Sequence, residues 1–129
     1  MRLLLDTHIW LWSLREPARL SPRVRQELRN KDNELWLSPV SAWEAFVLNS
    51  RGKIRLHVDL EDWLVRATSN LHEAPLTHEI VLAAHQLPLL HRDPADRFLA
   101  ATAQMLGLTL VTADERLLGL GEIATLANR

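Results

Sequence analysis

Arg2-Leu3-Leu4-Leu5-Asp6-Thr7-His8 is the stretch on which the fold turns. An apolar run ends in an acid and resumes as Ile9-Trp10-Leu11-Trp12, the pattern of a buried strand whose carboxyl end delivers a carboxylate and then turns into a helix. Taken alone, an aspartate at that point is more often a turn residue or helix cap than a catalyst. The rest of the chain repeats the arrangement. Leu35-Trp36-Leu37-Ser38 is a second short strand, leading to a helix over 40–50 stopped by Gly52. Leu108-Thr109-Leu110-Val111-Thr112 is the clearest later strand, followed by Asp114. Helix signals fill the gaps: Thr7 as a cap for 7–14, Ser21-Pro22 before 23–30, acids at 59–62 opening a helix to about 70, and Thr77 capping 78–86. Asp93-Pro94 opens another helix, stopped by Gly107. A weak strand near 72–76, a helical turn over 114–118 and an edge strand over 123–126 complete the pattern. Strands separated by helices predict a three-layer α/β/α fold with a central, mainly parallel sheet, and sites outside the carboxyl ends of its strands. At 129 residues, one domain spanning 1–129 is expected.

Composition removes several classes of function. With 15 Lys+Arg against 16 Asp+Glu there is no global basic field, so contact with nucleic acid must be local. Basic residues cluster as Arg15/Arg19/Arg23/Arg25/Arg29 and as Arg51/Lys53/Arg55, which leaves room for a basic rim around an acidic centre. The absence of cysteine excludes disulfides, thiolate zinc sites and a cysteine nucleophile, and suits the cytoplasm, the expected location. Asp6, His8 and Arg15 interrupt the first apolar run, so no signal peptide is expected, and no stretch is long and apolar enough for a membrane span. There is no phosphate-cradling glycine loop, nucleophile elbow or zincin histidine pair.

Two acids fall where apolar residues belong. On a helix, Glu44 shares a face with Val40, Val47 and Leu48, which points its carboxylate toward the core. Asp96 shares one with Leu99, Ala100 and Ala103. A lone buried carboxylate costs several kcal/mol unless paired, hydrogen-bonded or neutralised. A salt bridge to Arg92 or Arg97, or the helix dipole at Asp96, is the structural alternative. If Asp6, Glu44, Asp96 and Asp114 converge at the sheet edge, their natural occupant is a hard divalent cation, Mg²⁺ or Mn²⁺. The chemistry such a centre performs is phosphodiester hydrolysis.

Leu3-Leu4-Leu5-Asp6-Thr7-His8, Ser41-Ala42-Trp43-Glu44, His91-Arg92-Asp93-Pro94-Ala95-Asp96-Arg97-Phe98-Leu99-Ala100-Ala101 and Leu110-Val111-Thr112-Ala113-Asp114 resemble, in order, the four acidic motifs of PIN-domain ribonucleases. The resemblance spans essentially the whole chain and is nearest to the small VapC-type toxins of type II toxin–antitoxin systems. It implies a metal-dependent endoribonuclease acting on RNA, often a homodimer, held inactive by a cognate antitoxin. It implies that Asp6, Glu44, Asp96 and Asp114 are the catalytic and metal-site acids, with Thr7 and Thr112 as hydrogen-bond partners behind them. Asp93 has no clear place among the four; its position before Pro94 favours a helix cap, with a supplementary role at the site as the alternative. Ala95 stands where many such sequences carry a larger apolar residue.

Two other functions compete with this one. A haloacid-dehalogenase-like phosphatase also begins with a strand ending in Asp, but its second Asp, two residues on, is here His8. A noncatalytic PIN-fold interaction module would not need all four acids. His8 and His91 flank the proposed site, and structural hydrogen bonding accounts for them equally well. Trp10, Trp36 and Trp43 lie in apolar runs and read as core or interface residues, while Trp12 and Trp63 are assigned to a partner surface.

Overall fold

The computed structural model describes residues 1–56, 59–88 and 93–129. Its elements run β1 (Arg2–Leu5), α1 (Thr7–Arg15), a 3-10 turn (Pro17–Arg19), α2 (Pro22–Arg29), β2 (Glu34–Leu37), α3 (Pro39–Ser50), α4 (Leu60–Ala67) and β3 (His72–Glu73). Then follow α5 (His78–Gln86), α6 (Pro94–Leu106), β4 (Thr109–Thr112), α7 (Glu115–Leu118) and β5 (Ala124–Ala127). The five strands lie in the order β3-β2-β1-β4-β5 and every pairing is parallel. From β1 the chain builds outward through β2 and β3, then returns to the other side of β1 to add β4 and β5. The topological switch point therefore falls between β1 and β4, where folds of this kind place their sites.

Strand alternation explains the layers. Side chains at i and i+2 share a face of a strand, so β1 sends Leu3 and Leu5 into one core and Leu4 into the other. The first core joins them to Ile9, Trp10 and Leu11 of α1, Val24 of α2, Ala45 of α3 and Ala67 of α4. The second joins Leu4 and Leu110 to Ile80 and Ala84 of α5 and Leu99, Ala100 and Ala103 of α6. Leu3, Leu4 and Leu5 are all buried because helices cover both faces, which is why β1 reads as an unbroken apolar run. Trp10 Nε1 donates to the Ala67 carbonyl at 3.0 Å, satisfying the polar atom of the bulkiest core side chain.

Most helix starts fall where capping residues stand. Ser21, Ser38, Asp59 and Thr77 cap α2, α3, α4 and α5, each accepting from a backbone N–H of the first turn. Gly107 (φ 65°) closes α6 and Gly52 (φ 70°) follows α3, both in the left-handed region open to glycine. The structure departs from the sequence pattern at several points. Asp6, not Thr7, caps α1, because its carboxylate reaches the Thr7 N–H. Helix α4 stops at Ala67, short of 70, and β3 has only two residues. Trp63 packs against Trp10 and Phe46 instead of facing a partner, and Trp43 is 67% exposed, so it is no core residue. The stretch 89–92, with His91 and Arg92, lies outside the described residues.

Candidate active site

Asp6 leaves β1 at the switch point, its backbone N–H donating to the Val111 carbonyl in the last rung between β1 and β4 at 3.0 Å. Its side chain is held at both oxygens. Oδ1 accepts from the Thr7 N–H at 2.7 Å and Oδ2 from the Thr112 hydroxyl at 2.6 Å. Thr112 is fully buried at the end of β4 and its Oγ1 also accepts from the Asp114 N–H at 3.0 Å. One hydroxyl thus ties together the acids that end the two central strands.

Thr7 performs the same service for Glu44. Its buried hydroxyl is hydrogen-bonded both to Glu44 Oε1 and, at 2.8 Å, to Ser41 Oγ. A hydroxyl carries one proton and a carboxylate only accepts, so with Glu44 ionised the Ser41 hydroxyl supplies the proton of the second contact. Ser41 precedes Glu44 by one helical turn of α3 and is fully buried. Asp93 caps α6, accepting from the Ala95 N–H at 3.0 Å, and Asp96 sits half-buried in the first turn of that helix. Asp114 caps α7, accepting from the Arg116 N–H at 2.9 Å, and its carboxylate is paired with the Arg116 guanidinium at 3.3 Å.

A single cavity of about 380 Å³ collects Asp6, Glu44, Asp93, Asp96 and Asp114, with Thr7, His8, Trp12 and Arg116 also in its walls. All four acids expected from the sequence line it, and Asp93 joins them. Among the described residues, no three His, Asp or Glu side chains are drawn together tightly enough to hold an ion directly. The carboxylates share a pocket without forming a closed cage. Glu44 lines this pocket and a neighbouring surface trough, to which Val40, Val47 and Leu48 also contribute, with Leu48 packing against the first core as well. The inward face of α3 belongs to Ser41 and Ala45. Arg97 donates to the carbonyls of Ala84, His85 and Leu87, fastening α6 to the end of α5.

Crowding sets the electrostatics. Burial pushes the Asp6 carboxyl above its ordinary range, opposed by the Thr112 and Thr7 hydrogen bonds and by His8, and reinforced by Asp114. Burial likewise pushes Glu44 up, against its Thr7 hydrogen bond, with the Asp93 and Asp6 charges adding to the rise. An all-oxygen donor set in which two carboxyls resist ionisation fits a hard, partly hydrated cation, which would relieve the repulsion and keep several waters. Arg116 was not found from the sequence; its only trace is a basic residue two positions after Asp114. Ser41 was quoted in the second acidic motif without a role. Its trace is a hydroxyl one turn before Glu44.

The fold and this pocket define a class: a doubly wound parallel α/β domain with carboxylates gathered at the switch point. Similarity to known proteins makes the class specific. The PIN domain matches residues 3–123. The chain is 35% identical over 115 residues to Ribonuclease VapC22 of Mycobacterium tuberculosis, covering 88% of each protein. Among solved structures it resembles VapBC2 from Rickettsia felis, bound to a DNA fragment from the promoter, with a TM-score of 0.73 at 17% identity over 98% of each chain. It also resembles a toxin-antitoxin complex from Klebsiella pneumoniae, with a TM-score of 0.70 at 18% identity over 98% of each chain. The chain belongs to the PIN domain family. The dehalogenase-like reading is thereby set aside.

Proposed function

We propose that the chain is a metal-dependent endoribonuclease that hydrolyses RNA phosphodiester bonds, and that it is the toxin half of a type II toxin–antitoxin pair. The convergence of Asp6, Glu44, Asp96 and Asp114 on one pocket at the switch point carries this reading. The named ribonuclease that shares 35% of its sequence supports it.

Asp6, Glu44, Asp96 and Asp114 would hold Mg²⁺ or Mn²⁺. Bound there, the cation supplies Lewis-acid chemistry, lowering the pKa of a water and neutralising charge on the phosphate. The chain's own residues do the rest. Thr112 and the Thr7 N–H fix both oxygens of Asp6, so the carboxylate is oriented before substrate arrives. Thr7 engages Glu44 Oε1, which leaves Oε2 as the atom suited to take the proton of an attacking water. Arg116, at the pocket rim, is placed to meet a phosphate oxygen.

Partners belong to the same proposal. An apolar trough of about 600 Å³, lined by Val40, Trp43, Val47, Leu76 and Phe98, shares Thr7, His8, Glu44 and Asp93 with the acid pocket. An exposed tryptophan beside a catalytic pocket suits a protein that covers it, a cognate antitoxin or a second copy in a homodimer. Among the described residues no helix is long and apolar enough to cross a membrane. The proposal also takes 1–129 as one domain acting in the cytoplasm, where its RNA substrate would be.

The test is incubation with single-stranded and structured RNAs in Mg²⁺, Mn²⁺ or EDTA, beside Asp6→Asn and Asp96→Asn. Cleavage that needs the cation and disappears in both variants is expected. A folded, inhibitor-free protein that cuts none of them would overturn the proposal.

A further inference from the structure

We infer that the α1 wall of the acid pocket is a stacking subsite for one base of single-stranded RNA, next to the phosphate being cut. The inference rests on the ribonuclease reading and specifies its substrate. Helix α1 divides its side chains sharply. Ile9, Trp10 and Leu11 are buried in the core, whereas His8 is exposed and Trp12 half-buried, and both line the acid pocket. One turn apart on the same face, the two rings lie 5.7 Å apart between centroids and are tilted by only 30°. The Arg19 guanidinium lies over the Trp12 ring at 4.3 Å and is itself anchored by Glu16 at 3.2 Å.

Three flat groups, His8, Trp12 and Arg19, therefore form a contiguous cluster at the pocket wall. Its His8 member is exposed and follows Asp6 by two residues, so the helix that starts at the proposed catalytic acid also carries a platform beside it. Trp12 is braced from behind by the core around Leu3 and Leu5, whereas His8 and Arg19 take no part in that core. Beyond the one phosphate that a bound cation and Arg116 would hold, a pocket walled by five carboxylates repels the phosphates of RNA, while the flat, uncharged part of a nucleotide meets no such penalty. Stacking on aromatic rings and guanidinium planes is how single-stranded RNA is commonly gripped. In a duplex both faces of a base are already covered, so only an unstacked base can extend this cluster.

The test pairs a change in the protein with a change in the RNA. A mixed-sequence single-stranded 12-mer that the wild type cuts is compared with the same strand bearing one abasic ribose at each position in turn. One abasic position beside the cut should lower kcat/KM by roughly ten-fold or more. His8→Ala should lower kcat/KM on the intact strand by a similar factor and show no further loss at that position, because ring and base act as one contact. His8→Phe, which keeps a ring and removes the imidazole, should restore both the rate and the abasic penalty. Being exposed, His8 can be replaced without disturbing the core, which thermal unfolding of each variant checks. Independent multiplication of the two losses, equal defects in His8→Ala and His8→Phe, or no sensitive abasic position would each overturn the inference while cleavage by the wild type leaves the ribonuclease reading standing. If the wild type cuts no single strand but cuts duplex RNA, the subsite is refuted alone. If it cuts no RNA, both fall.

Discussion

At the scale of single residues, the site depends on hydroxyls as much as on acids. Thr112 donates to Asp6 and accepts from the Asp114 N–H, so its removal loosens the acids behind both central strands. A hydrogen bond to a charged group is worth about 1.5–3 kcal/mol, and outer partners of metal ligands typically contribute 10–100-fold to affinity or activity. Thr112→Val, of the same shape, should therefore weaken Mn²⁺ binding and slow RNA cleavage by roughly 10-fold or more. Thr112→Ser should stay near the wild type. Calorimetric Mn²⁺ titration of both variants checks this, and equal affinities in the valine and serine variants would remove Thr112 from the machinery. The threonines were quoted from the sequence as partners of the acids, but their geometry was not legible there. Nothing in Thr7-His8-Ile9 says that the Thr7 hydroxyl would reach across to α3.

At the scale of elements, helix starts repeatedly serve as site walls. Asp6, Asp93 and Asp114 each cap the helix that follows, and each lines the acid pocket. Cap and ligand read as rivals in the sequence, yet an aspartate that caps a helix through one oxygen still presents its carboxylate to the pocket. Asp93 is the sharpest case, since its charge raises the Glu44 pKa while its Oδ1 caps α6. Asparagine caps as well as aspartate but carries no charge. Asp93→Asn should keep the stability of the wild type and move the acid limb of the cleavage pH profile downward, because Glu44 then ionises more readily. Asp93→Ala should lose about 1 kcal/mol as well. A pH–rate profile beside thermal unfolding separates the two effects. Element boundaries were legible wherever a cap or a glycine marked them, as at Thr77 and Gly107. They were least legible at β3, where two residues paired with Trp36 and Leu37 carry no pattern of their own.

For the molecule as a whole, the unbroken apolar run of β1, the alternation of strand and helix signals and the acids following β1 and β4 made the layered parallel sheet legible. What the sequence did not reveal was set by tertiary packing. Trp43 sits in an apolar run and is exposed because α3 turns Ser41 and Ala45 inward; Trp63 was assigned to the surface and packs on Trp10. The same packing gives the fold a characteristic response to pH. Asp6 and Glu44 are both held above the ordinary carboxylate range. Carboxyls raised in the folded state favour folding most below their unfolded pKa, and that contribution is lost as pH rises through the folded value. A cation that needs the ionised forms acts in the opposite sense, and at a hundred times its Kd would add about 2.7 kcal/mol. The most direct measurement of whether these acids form one cation site is thermal unfolding of the metal-free protein from about pH 4, the ordinary carboxylate range, to about pH 8, with and without Mg²⁺, in the wild type and Glu44→Gln. The wild type should lose stability in EDTA as pH rises and recover it with Mg²⁺, more at pH 8 than at pH 4. Glu44→Gln should show a flatter profile and a smaller gain. An identical Mg²⁺ gain in both proteins at every pH, or no gain in either, would contradict the account.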